Sequence, residues 1–134
     1  MRALATLVAA ACLVLGAGAP AQEKVGVSLK GSVDDEALQA KAPKAGVVVS
    51  EAGWKALREA WGIKDAPKVD FGKTLLVVGT TRGSILKVSA VVADGNLKTS
   101  AISTRDLRPG FRYAIEAVSR DGVKTVNGEP LPKE

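Results

Sequence analysis

The clearest hydrophobic pattern in the chain is a helical one that begins after Ser50. Trp54, Leu57 and Trp61 recur at spacings of three and four residues, which places them on one stripe of an α-helix. Ser50 stands at the N-cap position, and Gly62 stands where a left-handed residue ends a helix. The pattern therefore predicts a short amphipathic helix whose stripe of large side chains is buried.

An unbroken apolar run marks the next element. Residues 75–78 are Leu-Leu-Val-Val and include no polar position, so a strand here would be covered on both faces. The β-branched run at residues 47–49 predicts a shorter strand just before the helix. Pro67 prevents the helix from continuing toward the apolar run. We therefore expect a central strand with the helix packed on one side of its sheet.

Beyond residue 84, apolar and polar positions alternate with a period of two, as in strands with one buried face. Asp94-Gly95 and Asp121-Gly122 are turn pairs at hairpin spacing. The strands predicted in this part lie at residues 84–93, 97–104, 113–120 and 123–126. The predicted fold class is α+β, with one short amphipathic helix packed on an antiparallel, meander-like sheet of about five to six strands.

The N-terminal residues have the pattern of a secretory signal peptide. A positive charge at Arg2 precedes an apolar run at residues 3–14, and small residues follow as far as Ala21. The run is too short for a membrane-spanning helix and has no charged flank to stop its transfer. We therefore predict a signal peptide over residues 1–21, no membrane span, and a secreted or periplasmic protein. A lipid anchor at Cys12 is the alternative, which the apolar residues after Cys12 disfavour.

Composition divides the rest of the chain into three parts. Residues 22–45 are mostly small and charged, and we interpret them as a flexible N-terminal segment or linker. Val27 and Leu29 alternate as they would in an edge strand, which is the other interpretation of this segment. Residues 46–128 are predicted to form a single α+β domain, and residues 129–134 a C-terminal tail. No oligomeric state is predicted.

The composition also limits the reactions and ligands that this chain can support. The 134 residues include 19 Lys and Arg, 14 Asp and Glu, no His, and one Cys that the predicted cleavage removes. The usual general bases, thiol nucleophiles and zinc ligands are therefore missing. A net charge of +5 spread along the chain favours solubility and identifies no partner. We expect a non-enzymatic domain that has neither a metal nor a cofactor.

Carboxylates would have to carry out any hydrolysis by this chain. Glycan hydrolases need two acids that face each other across a cleft. The candidates are Asp70, Asp106, Glu116 and Asp121. Nothing in their spacing pairs them, so hydrolysis is the weakest of the functional hypotheses.

The two tryptophans could form a platform on which a sugar ring stacks. On an amphipathic helix in a chain with few aromatic residues, burial is the more common role for such side chains. We therefore assign Trp54 and Trp61 to the structural core. The other predicted core residues are Leu57 and Phe71.

Two exposed connections are the predicted partner-binding surfaces. One is the turn at residues 81–84, and the other is the longer loop at residues 105–112, which mixes arginines with aromatic residues. The candidate contact residues are Arg82, Arg105, Arg108, Phe111 and Arg112. We expect an extracytoplasmic protein partner. The alternative is a cell-surface polyanion such as an acidic glycan, whereas nucleic acid is excluded by the predicted secretion.

The residues around the helix resemble the PrcB-like C-terminal domain family. The resemblance covers the Trp-bearing helix from Trp54 to Trp61, the segment at residues 67–73 with the sequence Pro-Lys-Val-Asp-Phe-Gly-Lys, and the apolar strand up to Val78. It implies a small secreted or lipid-anchored domain without catalytic residues that stabilises a partner, such as a protease complex. The family shows a Gly-Gly pair followed by an aromatic residue where this chain has Arg-Gly-Ser-Ile at residues 82–85.

Overall fold

The computed structural model describes residues 24–133, with side chains from residue 27 onward. The predicted signal peptide and the candidate anchor Cys12 lie outside the described residues. The elements are β1 (Lys24–Val33), a 3₁₀ helix (Glu36–Lys41), β2 (Val47–Val48), α1 (Glu51–Trp61), β3 (Thr74–Thr81), β4 (Leu86–Ala93), β5 (Asn96–Ser103), β6 (Phe111–Ser119), β7 (Thr125–Val126) and β8 (Glu129–Pro130). Neither helix in the described part is long and apolar enough to cross a membrane.

The described strands form two four-stranded sheets, and the α+β class is confirmed. The first sheet has the order β1-β6-β3-β2, and all of its pairs are antiparallel. The second sheet has the order β4-β5-β7-β8, in which β5 and β7 run parallel. The strands do not form one continuous meander, because β6 leaves β5 and returns to the first sheet, where it lies between β1 and β3.

The first sheet is the middle layer of the fold. Leu76 and Val78 of β3 pack in the same cluster as α1, whereas Leu75 and Val77 pack with residues of the second sheet. Successive side chains of a strand point to opposite faces, so the unbroken apolar run reflects a strand that is covered on both sides. Burial of each such side chain contributes roughly 1.5–3 kcal/mol of hydrophobic free energy.

Helix α1 begins and ends at the residues that its sequence predicts. The Ser50 hydroxyl accepts a hydrogen bond from Gly53 N at 3.2 Å. Gly62 ends the helix in the left-handed region, with φ at 67°. The buried side chains of α1 are Trp54, Leu57 and Trp61. They pack on the face of the first sheet opposite to the second sheet.

The described part of residues 22–45 is not a linker. Residues 24–33 form β1, the edge strand of the first sheet, which pairs with β6. The 3₁₀ helix that follows contacts α1, and the indole N–H of Trp61 donates to Leu38 O at 2.8 Å. Leu29 packs toward α1 while its neighbour Lys30 is exposed, so the strand shows only a weak alternating pattern. The edge-strand interpretation of this segment is therefore the correct one.

The C-terminal boundary also differs from the prediction. The predicted tail at residues 129–134 contains β8, which pairs with β7 as a short hairpin. Asn127 in the turn of this hairpin attaches it to β5. Its N–H donates to Leu97 O at 2.8 Å, and its side-chain oxygen accepts from Thr99 N at 2.9 Å. Pro130 lies on an edge strand, where its missing N–H is tolerated.

Gly79 determines how closely the second sheet lies on the first. A Cβ atom at this position of β3 would lie 2.5 Å from Val88 Cγ2 and 3.6 Å from Ala101 Cβ. Carbon atoms in ordinary contact are about 3.5–4.0 Å apart. The glycine therefore makes room for the β4–β5 hairpin, whose open end carries the turn and the loop described next.

Candidate functional site

The two connections predicted to bind a partner form one continuous surface. We call it the turn–loop surface, and it consists of the turn between β3 and β4 (residues 82–85), the loop between β5 and β6 (residues 104–110) and Ile102 near the end of β5, which adjoins the turn. The N–H of Arg108 donates to Arg82 O at 2.9 Å, which joins the middle of the loop to the start of the turn. Residues far apart in sequence are thereby brought side by side.

Thr104 holds the turn from the side of the loop. Its Oγ1 accepts from Ser84 N at 2.9 Å and from Ile85 N at 3.1 Å. Its backbone N–H donates to Ile85 O at 3.1 Å, and Asp106 Oδ1 also accepts from Ser84 N, at 3.0 Å. Gly83 passes so close to the Thr104 carbonyl that a side chain at this position would collide with it. The turn is therefore fixed by hydrogen bonds from its backbone to the side chains of Thr104 and Asp106 and by its close approach to the Thr104 backbone.

The Asp106 carboxylate is held as an anion. Hydrogen bonds from the Thr104 hydroxyl, from the N–H and hydroxyl of Ser84, and from the Arg108 guanidinium lower the pKa of Asp106 well below its ordinary range. Arg108 Nε donates to Asp106 Oδ2 at 3.1 Å. A carboxylate that stays ionised at all physiological pH values does not serve as a general acid. The role that these contacts give Asp106 is to hold the turn and the loop together.

The arginines of the surface differ in their partners. Arg82 forms an ion pair with Glu36 at 2.7 Å, and Arg108 forms one with Asp106 at 3.1 Å. Arg105 is exposed and forms no ion pair within residues 24–133. The positive charge of the surface is therefore smaller than its number of arginines indicates.

The surface also exposes large apolar side chains. Ile85 is 61% exposed, Ile102 is 70% exposed and Leu107 is 75% exposed. Thr104 lies opposite Ile85 in the hairpin, so Ile102 is the diagonal neighbour of Ile85 on the outer face. In the described part of the chain only Val91 is a further exposed large apolar residue. The apolar exposure of this domain is thus concentrated at the turn–loop surface.

Two of the predicted contact residues do not belong to this surface. Phe111 is fully buried, and its ring packs edge-on against Trp61 with the ring centroids 5.3 Å apart. It is the first residue of β6 and points toward α1, so its predicted role in partner contact is wrong. Arg112 is partly buried, and its Nη1 atom finds no hydrogen-bond acceptor among the described residues.

The other candidate residues lie elsewhere. Phe71 is partly buried against the α1 side of the core, and Asp70 accepts from Gly72 N at 3.0 Å in the turn before β3. Glu116 of β6 accepts from the Ser28 hydroxyl at 2.8 Å. The described residues include no cluster of three or more His, Cys, Asp or Glu side chains that could hold a metal ion.

Sequence reasoning located the turn and the loop but missed what joins them and what they expose. Ser84, Thr104 and Asp106 belong to the residue types that hydrogen-bond to nearby backbone, which is the signal that could have found them. Leu107 is a single large apolar residue in an otherwise polar loop. Neither signal shows by itself that the two connections meet.

The chain was compared with protein-family models, with curated proteins and with solved structures. No family model, curated protein or solved structure matches it. The assignment of a function therefore starts from the turn–loop surface.

Proposed function

We propose that this chain is a non-enzymatic, secreted or periplasmic domain that binds and stabilises another extracytoplasmic protein through the turn–loop surface. The observation that carries the proposal is the joint exposure of Ile85, Ile102 and Leu107 beside arginines. A single exposed apolar residue needs no explanation, whereas a group of them bordered by polar residues is typical of protein interaction sites. Arginine is also enriched at protein interfaces.

The geometry favours a protein over a polyanion as the partner. A polyanion binds through unpaired cations and gains affinity from the counterions that it releases. Arg82 and Arg108 are already paired with Glu36 and Asp106, which leaves Arg105 as the unpaired arginine of the turn–loop surface among the described residues. The exposed apolar side chains would gain little from an acidic glycan. Binding of a cell-surface polyanion therefore remains the second hypothesis.

Three features of the sequence support the rest of the proposal. The signal-peptide pattern at residues 1–21 supports a location outside the cytoplasm. The resemblance to PrcB-like domains makes a protease complex the first partner to test. The absence of His from the sequence supports a role without catalysis.

Photo-cross-linking in the producing cells tests the proposal. A benzophenone-bearing amino acid replaces Leu107 in one variant and Lys55 in a matched control, which is exposed on α1 and lies away from the surface. We expect a discrete protein adduct from position 107 and none of that size from position 55. The same adducts from both positions would contradict the proposal.

A charge variant separates the two hypotheses. Replacement of Leu107 by Asp should abolish capture of the cross-linked partner without lowering the melting temperature, because the side chain is exposed. Replacement of Arg105 by Ala should weaken retention on heparin if a polyanion is the ligand. Strong heparin retention that falls steeply with salt, together with unchanged protein capture in the Leu107 variant, would favour the polyanion.

A further inference from the structure

Strand β4 has a free edge. It is the end strand of the second sheet, and within residues 24–133 no strand pairs with it on the side away from β5. The bond from Thr104 N to Ile85 O shows which residues of β4 point their backbone groups toward β5. Because this direction alternates along an antiparallel pair, Val88 and Ala90 point their N–H and C=O groups away from β5.

This edge opens on a cleft of about 220 Å³ that residues of both sheets line. The residues that line it are Lys30, Lys87, Val88, Ser89, Ile102 and Glu116. Lys30 and Glu116 belong to β1 and β6 of the first sheet, so the floor of the cleft is the part of that sheet that the second sheet leaves uncovered. A further strand placed beside β4 would lie over this floor.

The charges of the cleft are mostly positive. Lys30 and Lys87 form no ion pair in the described part of the chain, whereas the carboxylate of Glu116 already accepts a hydrogen bond from Ser28. Two lysines without an ion pair favour an acidic occupant, because a carboxylate forms charge-assisted hydrogen bonds with an ammonium group.

We propose that β4 binds an extended, acidic segment of the partner protein, which joins the second sheet as an additional strand. The inference rests on the proposed function, since it names the form of the partner segment. Backbone hydrogen bonds to Val88 and Ala90 supply the general affinity of strand addition. Acidic side chains that meet Lys30 and Lys87 supply the selectivity. A second copy of this chain is the alternative occupant, which the test below distinguishes.

Hydrogen exchange measured by NMR on the full-length secreted chain tests this inference. The probes are two peptides long enough to span β4, one of alternating Val and Glu and one of alternating Val and Lys. We expect the acidic peptide to slow exchange of the Val88 and Ala90 amides by about tenfold or more, and the basic peptide to leave it unchanged. Equal protection by both peptides, or protection by neither, would overturn the inference.

Three variants keep the test independent of folding defects. Ala90→Pro removes an outward N–H and should abolish protection, whereas Ala90→Ser keeps that N–H and should not. The exposed pair Lys30→Glu and Lys87→Glu should reverse the preference, so that the basic peptide now protects Val88. Protection that persists in Ala90→Pro, or an unreversed preference in the charge variant, would refute strand addition. Protection that appears without peptide and rises with protein concentration would identify a second copy as the occupant.

The test of strand addition at β4 and the test of the proposed function can fail independently of each other. Leu107→Asp alters the turn–loop surface and leaves the edge of β4 intact. Loss of partner capture in Leu107→Asp, together with no protection by the acidic peptide, would retain the proposed function and refute strand addition. Protection by the acidic peptide, together with unchanged capture in Leu107→Asp, would retain strand addition and refute the turn–loop surface as the binding site.

Discussion

The contact between Gly79 of β3 and Val88 of β4 offers a sharp test of how the two sheets pack. Replacement of Gly79 by Ala would place a methyl group 2.5 Å from Val88 Cγ2. Ordinary carbon contacts lie about 1–1.5 Å farther apart, so one of the two strands or the valine rotamer has to move. Valine has few alternative rotamers, which makes this adjustment costly.

The expected magnitude follows from these contacts. Overpacking of this kind costs about 1–3 kcal/mol, and restriction of the unfolded chain by alanine offsets about 0.4–1 kcal/mol of it. Gly79→Ala should therefore destabilise the domain by about 1–2 kcal/mol. Val88→Ala alone should cost about 1 kcal/mol, because its methyl groups are only partly buried. In the double variant the new methyl group occupies space that the valine has left. The free energy of unfolding should therefore fall by no more in the double variant than in Gly79→Ala alone.

Urea denaturation followed by tryptophan fluorescence measures all of these free energies of unfolding. Trp54 and Trp61 are the only tryptophans in the sequence, and both lie in the core. Val91→Ala is the control, since Val91 lies on the outer face of β4 and its effect should simply add to that of Gly79→Ala. If the losses of Gly79→Ala and Val88→Ala also add, then β4 does not cross β3 at Gly79, and the packing described above is incorrect.

Three further predictions concern the α1 interface, the loop before β6 and the turn–loop surface. Trp61→Phe removes the hydrogen bond to Leu38 O and should lower the free energy of unfolding in urea by about 1–2 kcal/mol. Gly110→Ala should lower the free energy of unfolding by at least as much in the same assay, because φ is 69° at Gly110 and a Cβ atom there would collide with the backbone. Hydrogen bonds from Thr104 and its neighbours lower the pKa of Asp106 in the folded chain. The ionised Asp106 carboxylate therefore stabilises the fold fully above about pH 4, and this stabilisation is lost as the pH falls toward the lowered pKa. Thermal melts from pH 7 to pH 2 should therefore show a shallower acid loss for Asp106→Asn than for the natural chain.

Helices and strands of this fold could be predicted from the sequence where their signal lies in neighbouring residues. Ser50 and Gly62 bound α1 by capping, and the apolar run at residues 75–78 is a strand that is covered on both faces. Strand β1 was harder to predict, because only its α1-facing side is apolar and its edge position leaves residues such as Lys30 in solvent. A weak alternating pattern of this kind does not distinguish an edge strand from a linker.

The division into two sheets could not be predicted from local patterns. Strand β6 could have paired with β5, its predecessor in the chain, and its apolar face would have fitted either sheet. The choice depends on long-range packing, in which Phe111 meets Trp61 and Gly79 admits Val88. Phe111 falls within the predicted loop at residues 105–112, although it is already the first residue of a buried strand.

The hydrogen bonds of the turn–loop surface bear directly on how it would bind. A partner that contacts mobile loops must order them, which costs about 0.5–1.5 kcal/mol for each immobilised flexible side chain. Here Thr104 and Asp106 already fix the turn through the N–H groups of Ser84 and Ile85, so the exposed apolar side chains are presented on backbone that is ordered before binding. Asp106 contributes this order only as an anion, and its lowered pKa keeps it ionised at neutral and mildly acidic pH. The same contacts that leave Asp106 unsuited to acid catalysis therefore make the surface better suited to binding a protein.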